Sequence, residues 1–287
     1  MTLFCLGSIN LDHTYEVPHL PAPGETILAE SHSTGLGGKG ANQSVAAAQA
    51  GASVVHIGAL GPDGDWALAR LKALGVDTTH VARVTTPTAH ALITVDPKGE
   101  NAITVFPGAN MQQSLPRLKA ALLTAQRGDM LLLQNETNLA LEAATLARSL
   151  GLKVLYAAAP FNPKTTAALL PLTDILVLNA VEMAQLQAVT ETLSPETIVV
   201  TEGAKGGYAL TAKGKQRFPA FPVRARDTTG AGDTFTGYLA AALHEGQPLA
   251  SALRRAAAAS ALKVTRKGTA DAIPARAEVD AFLKAQP

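Results

Sequence analysis

Six stretches of this chain read as mainly apolar, strand-like runs without strict alternation: residues 3–6, 53–57, 130–133, 153–156, 175–178 and 197–200. Strands covered on both faces carry such runs, whereas half-exposed strands alternate. Between them the apolar positions repeat at helical spacing, over 41–49, 66–74 and 139–150, and later over 234–244 and 249–264. Strands that alternate with helices predict a parallel sheet with helices on both faces, an α/β fold. Two segments break the rhythm, residues 11–34 and 88–106. Both are rich in Thr, Val, Ile and His between Pro and Gly turns, and Ala91-Leu92-Ile93-Thr94-Val95 alternates. They predict strands of a small, separate sheet.

Composition narrows the class without naming it. At 287 residues the chain suits one large α/β domain, with or without a small appendage. Twenty-four basic residues against 23 acidic ones leave a formal charge of +1, and no basic stripe points to nucleic acid. No apolar run reaches the ~18–20 residues of a membrane span, so no membrane partner is expected. The first six residues lack a basic region and read as a strand, not a signal peptide. Cys5 is the single cysteine, which excludes an internal disulfide; a reducing cytoplasm fits.

The chemistry concentrates in Asp227-Thr228-Thr229-Gly230-Ala231-Gly232-Asp233, which opens a helical pattern. A Gly-Ala-Gly turn lets a phosphate approach the backbone, and the N–H groups and dipole of the following helix favour its charge. A carboxylate at that spot would repel the phosphate. It makes sense facing a second substrate, taking the proton of a hydroxyl that attacks phosphorus, as in a small-molecule kinase. Alone, the string serves equally as a helix cap. A second cluster lies far upstream, Gly35-Leu36-Gly37-Gly38-Lys39-Gly40-Ala41-Asn42-Gln43. It has neither the P-loop nor the dinucleotide spacing. Its Lys39 and Asn42 suit a polyhydroxylated ligand; a glycine-rich turn with a solvated lysine is the alternative.

These residues resemble the signatures of the ribokinase-like sugar kinases, the PfkB family. Residues 37–43 resemble the first signature and 227–237 the second. Residues 7–12, 21–26, 99–101, 107–110 and 264–268, with Asn179 and Glu182, extend the likeness over nearly the whole chain. The resemblance implies a single ribokinase-like domain over 1–287: a mostly parallel sheet with helices on both faces and a β-lid from about 11–34 and 88–106. It also implies ATP-dependent phosphorylation of a sugar's primary hydroxyl. D-ribose comes before another pentose, a ketohexose or a nucleoside. A silent sugar-binding protein on the same fold would need a damaged turn or a lost acid, and both are intact.

The resemblance also distributes roles. Asp233 is the base, and Gly230, Ala231 and Gly232 form the anion hole. Asn10, Asp12, Gly38, Lys39, Asn42 and Glu136 match sugar positions, with Asp233. Asn179, Thr201, Glu202, Gly203, Ala204, Lys205 and Gly206 match ATP positions, with Gly232 and Asp233. Glu182 matches a position that holds Mg²⁺ through water. Asp227, Thr229, Lys263, Arg266 and Gly268 match a monovalent cation site, usually for K⁺, with Ala272 where the family has a serine. A homodimer through the β-lid is implied as well. The stretch between Leu186 and Thr197 is shorter than the family pattern, by about one helix.

Overall fold

The computed structural model describes residues 1–190 and 192–286. The first third contains β1 (Thr2–Leu6), β2 (Asn10–Glu16), β3 (Ser31–Gly37), α1 (Lys39–Gln49), β4 (Ser53–Leu60), α2 (Asp65–Ala73), β5 (Val81–Arg83), β6 (Ala89–Val95) and β7 (Asn101–Phe106). The middle contains α3 (Leu115–Leu122), β8 (Met130–Leu133), α4 (Ala140–Ser149), β9 (Lys153–Ala157), α5 (Pro163–Leu169), β10 (Ile175–Asn179) and α6 (Ala180–Gln187). The last third contains β11 (Thr197–Thr201), β12 (Gly207–Thr211), β13 (Gly214–Phe218), α7 (Ala231–His244), α8 (Leu249–Val264) and α9 (Arg276–Ala285).

The six apolar runs become β1, β4, β8, β9, β10 and β11, neighbours in one nine-stranded sheet of order β13-β12-β11-β10-β9-β8-β1-β4-β5. Every pairing from β5 to β11 is parallel; only the β11–β12 and β12–β13 pairings are antiparallel. The runs lack strict alternation because successive side chains enter different cores. Leu3 and Cys5 pack with α1, α7 and α8, while Phe4 and Leu6 pack with α3 and α4 on the other face. Each fully buried leucine in these layers contributes about 1.5–3 kcal/mol. Weaker patterns hid β5, β12, β13, α3, α5, α6 and α9. Strand β13, Gly-Lys-Gln-Arg-Phe, is exposed at four of five positions on the sheet edge, where polar residues discourage further pairing.

The two irregular segments form a separate four-stranded sheet of order β3-β2-β6-β7. Only the central β2–β6 pair is parallel. Residues 17–30, inside the expected 11–34 segment, lie outside its strands, and β3 runs on to Gly37. Gly38 is the single residue between β3 and α1, with φ +90°, a conformation that favours glycine.

Helices α1 and α7 meet at a glycine. A methyl group on Gly237 would fall 2.5 Å from the Ala46 Cβ and 2.5 Å from the Gln43 carbonyl oxygen. This close approach brings the two glycine motifs, nearly 200 residues apart, into one place.

Candidate active site

Asp233 occupies the first turn of α7, after Gly230 in the left-handed region at φ +71°. The first N–H groups of a helix have no intrahelical acceptor and carry the positive end of its dipole. The acid is held from α1: Asn42 Nδ2 donates to one carboxylate oxygen at 3.1 Å and Gln43 Nε2 to the other at 3.1 Å. Gln43 is fixed in turn, its Oε1 accepting from Gln134 Nε2 at 2.7 Å. Asp233 therefore has a defined orientation over a cleft of about 230 Å³, lined also by Lys39, Asn179, Glu182, Thr201 and Gly230. A larger hollow of about 420 Å³ lies beside Asp77, which pairs with Val55 near the opposite end of the strands. Asp77 is committed there to Thr79, which donates to it from its backbone N–H at 2.8 Å and its hydroxyl at 2.6 Å.

Lys39 enters the cleft from the start of α1. Asp233 above all, then Glu136 and Glu182, hold its ammonium above the usual lysine range against the opposing effect of burial. Glu136, after β8, is tied to the same turn: its Oε2 accepts from Ser8 Oγ at 2.5 Å and from the Lys39 backbone N–H at 3.0 Å. Ser8 Oγ also accepts from Gly40 N at 3.2 Å.

Asn10 and Asp12 project from β2. Asn10 Oδ1 accepts from Asn110 Nδ2 at 2.8 Å, and Asn110 Oδ1 accepts from Ile9 N at 2.9 Å. Asp12 is 9% exposed, yet its carboxyl has no hydrogen-bond partner among the described residues. A methyl group on Gly37 would overlap it. Burial first, then Glu136 and Asp233, push its pKa up from 3.8 to about 7. A buried acceptor without a donor is costly unless a ligand supplies one.

On the other side of the cleft, Asn179 and Glu182 form a reciprocal cap of α6. Asn179 Oδ1 accepts from Glu182 N, and Glu182 Oε2 accepts from Asn179 N, each at 2.8 Å. Burial raises the Glu182 pKa. Thr201 ends β11 and lines the cleft. Glu202, Gly203, Ala204, Lys205 and Gly206 form the turn into β12 and do not line it; Glu202 pairs with Arg217 at 3.1 Å.

The five residues expected around a monovalent cation divide. Both Asp227 carboxylate oxygens accept backbone N–H groups, from Thr229 at 2.9 Å and Gly268 at 2.9 Å. Arg266 turns away to Glu278, at 2.5 Å. The Lys263 side chain, 0% exposed, places its Nζ 3.1 Å from the Asp227 carbonyl oxygen, and Ala272 offers no side-chain oxygen. An ammonium already lies on an oxygen that a cation would need, so these residues do not fit K⁺.

Sequence reasoning assigned no roles to Ser8, Gln43, Gln134 or Asn110. Ser8, Gln43 and Asn110 lie inside motifs that carried the resemblance; Gln134 follows β8 and had no signal beyond its place at a strand end.

A carboxylate oriented at a helix N-terminus, beside a left-handed glycine turn and a buried unpartnered acid, defines a kinase acting on a hydroxyl of a small molecule. The comparisons agree with that class. The pfkB family carbohydrate kinase model matches residues 2–276, and the chain belongs to this family. It is similar to the ribokinase of Haemophilus influenzae, 39% identical over 303 aligned residues that cover 99% of this chain and 98% of that one. The ribokinase of Bacillus subtilis is 35% identical over 290, covering 97% and 98%. The structure of Arabidopsis thaliana ribokinase complexed with ribose and ATP superposes with a TM-score of 0.89 at 32% identity, covering 99% of both chains.

Proposed function

We propose that this chain is an ATP-dependent kinase that converts D-ribose to D-ribose 5-phosphate. The observation that carries the reading is the double amide clamp on Asp233 at the start of α7. The clamp leaves the carboxylate aimed and still able to accept a proton. Asp233 takes the proton of the sugar's primary hydroxyl as that oxygen bonds to the γ-phosphorus. The bond from phosphorus to the bridging oxygen breaks, and ADP leaves. The N–H groups of Gly230 and Gly232 face the transferring phosphoryl group, whose transfer depends mainly on positioning and electrostatics; that of Ala231 donates to the Thr228 carbonyl at 3.2 Å and would have to leave it to join them. Asn10, Asp12, Gly38, Lys39, Asn42 and Glu136 bind the sugar. Asn179 and Thr201 lie on the nucleotide side, with the turn from Glu202 to Gly206.

Mg²⁺ fits the donor set. Among the described residues no three carboxylate, imidazole or thiolate side chains converge as a cage. Mg²⁺ characteristically keeps several waters and draws other ligands from phosphates. Glu182 would orient those waters, and the ion would neutralise phosphate charge.

The whole chain is read as one kinase domain whose small sheet is a lid over the sugar. That sheet exposes Leu92, Ile103, Val105 and Phe106, which supports pairing of two copies through it. Light scattering on the purified chain tests the dimer. No helix among the described residues is long and apolar enough to cross a membrane, and the lone buried thiol of Cys5 accords with a cytoplasmic setting.

The deciding experiment is coupled ADP release with ribose, 2-deoxyribose, fructose, 2-keto-3-deoxygluconate and nucleosides. Ribose is expected to give the highest kcat/KM. A higher value for another acceptor would reassign the substrate, and no ADP release with any would reject the kinase reading.

A further inference from the structure

The turn that leads into Asp233 is held by a charge the chain supplies itself. Lys263 sits in the last turn of α8 and is completely buried. An ammonium has three N–H bonds, and one of these has an acceptor among the described residues, the Asp227 carbonyl at 3.1 Å. Its nearest charge is Asp227 Oδ1, at 3.9 Å. The Asp227 carboxylate meanwhile spans Thr229 N in the turn and Gly268 N in the loop after α8. One residue therefore ties the turn to two places: its carboxylate to the Gly268 loop, its carbonyl to the Lys263 ammonium. Burying an ammonium is expensive unless it is paired, and an apolar side chain of similar length would pack there without that cost. A buried cation with spare donors beside a phosphate-binding turn has a chemical use instead.

We infer that the Lys263 ammonium is the built-in monovalent cation of this site, fixing the turn from Asp227 to Gly230 and lending it positive charge, so that phosphoryl transfer needs no potassium. Lys263 acts as a positioning residue, through the turn rather than on the sugar. The inference rests on the kinase reading of the site. Burial lowers the lysine pKa while Asp227 and Asp233 oppose the fall, so the charge depends on the acids it faces. Ala272 agrees with the same arrangement, since no side-chain oxygen remains there for a metal ion.

The test measures kcat and melting temperature in KCl, NaCl and choline chloride at constant ionic strength, for the wild type, Lys263→Ala and Lys263→Met. The wild type should keep kcat within about twofold across the three salts. Lys263→Ala, which removes the charge and opens room, should lose at least about tenfold in choline and regain most of it in KCl. Its melting temperature should rise in KCl, while that of the wild type does not. Lys263→Met fills the space without charge and should stay low in every salt. A role in packing alone would not give potassium-specific rescue. Activation of the wild type by K⁺ of about fivefold or more over choline overturns the inference; so does wild-type kcat in choline for either variant. If Lys263→Ala does not fold, the wild-type salt response and Lys263→Met still decide. Absence of turnover with any sugar would instead strike the kinase reading.

Discussion

Acidification should weaken sugar capture through Asp12. The carboxyl has no donor among the described residues, and its pKa in the free protein stands at about 7 because burial, Glu136 and Asp233 oppose its charge. In the proposed reading the ionised form accepts two sugar hydroxyls. With that pKa, about nine-tenths of the free protein is ionised at pH 8 and about one-tenth at pH 6, so kcat/KM for ribose should fall nearly tenfold over those two units and close to tenfold per unit below. Bound sugar supplies the missing donors and lowers the pKa, so kcat at saturation should keep its value to lower pH. Stability moves the other way. A carboxyl whose folded pKa is raised stabilises fully below its unfolded value of 3.8, and this is lost as pH rises through about 7. The whole shift is worth about 4 kcal/mol, of which about 3 kcal/mol falls between pH 5 and 8. The assay is kcat/KM and kcat against pH for the wild type and Asp12→Asn, with urea unfolding of both without sugar. Asp12→Asn should lose the acid limb of kcat/KM attributable to this group and gain stability relative to the wild type as pH rises. An unchanged acid limb in the variant, or a stability difference independent of pH, would exclude Asp12 as the group that titrates.

Asp233→Asn should lower kcat by about 10²–10⁴ while ribose and ATP binding stay within a few-fold, read from kcat beside calorimetric affinities. Ribose should be preferred to 2-deoxyribose, because the deoxy sugar lacks the C2 hydroxyl and leaves Asp12 one of its two donors short, at about 1–3 kcal/mol. That preference in kcat/KM should collapse in Asp12→Ala. Gly237→Ala should push α7 from α1 and cut kcat by about 10–100-fold with modest change in KM, since a displacement approaching 1 Å at the base costs on that order. Undiminished kcat would mean that the helix contact does not set the position of Asp233.

The main sheet was legible because its strands are buried on both faces and so carry mainly apolar runs. Where burial is one-sided or absent, the signal fades. All six residues of β7 are exposed, and its segment was recognised by turn chemistry and the alternation of its partner β6. The short hairpin of β12 and the exposed, polar β13 gave no such cue. At the site, glycines and acids announced themselves by type and order, but their holders did not. Gln43 and Asn110 act through partners roughly 100 or more residues away, a relation that periodicity cannot express. Lys263 is the sharpest case. The resemblance placed it at the cation site, and only packing revealed that its own ammonium is buried there against the Asp227 carbonyl.

The single residue Gly38 leaves no slack between the sheet that presents Asp12 and the helix that aims Asp233. One residue inserted there would rotate the α1 sequence by about 100° relative to the same start, carrying Asn42 and Gln43 off the base. One residue removed would rotate it the other way. The loops at the far end of the small sheet carry no such restriction, and the stretch 17–30 already lies outside its strands. Length variation in this chain therefore has a permitted end and a forbidden one. Residues can be gained or lost in the outer loops, while the joint at Gly38 keeps Asn42 and Gln43 in register with Asp233.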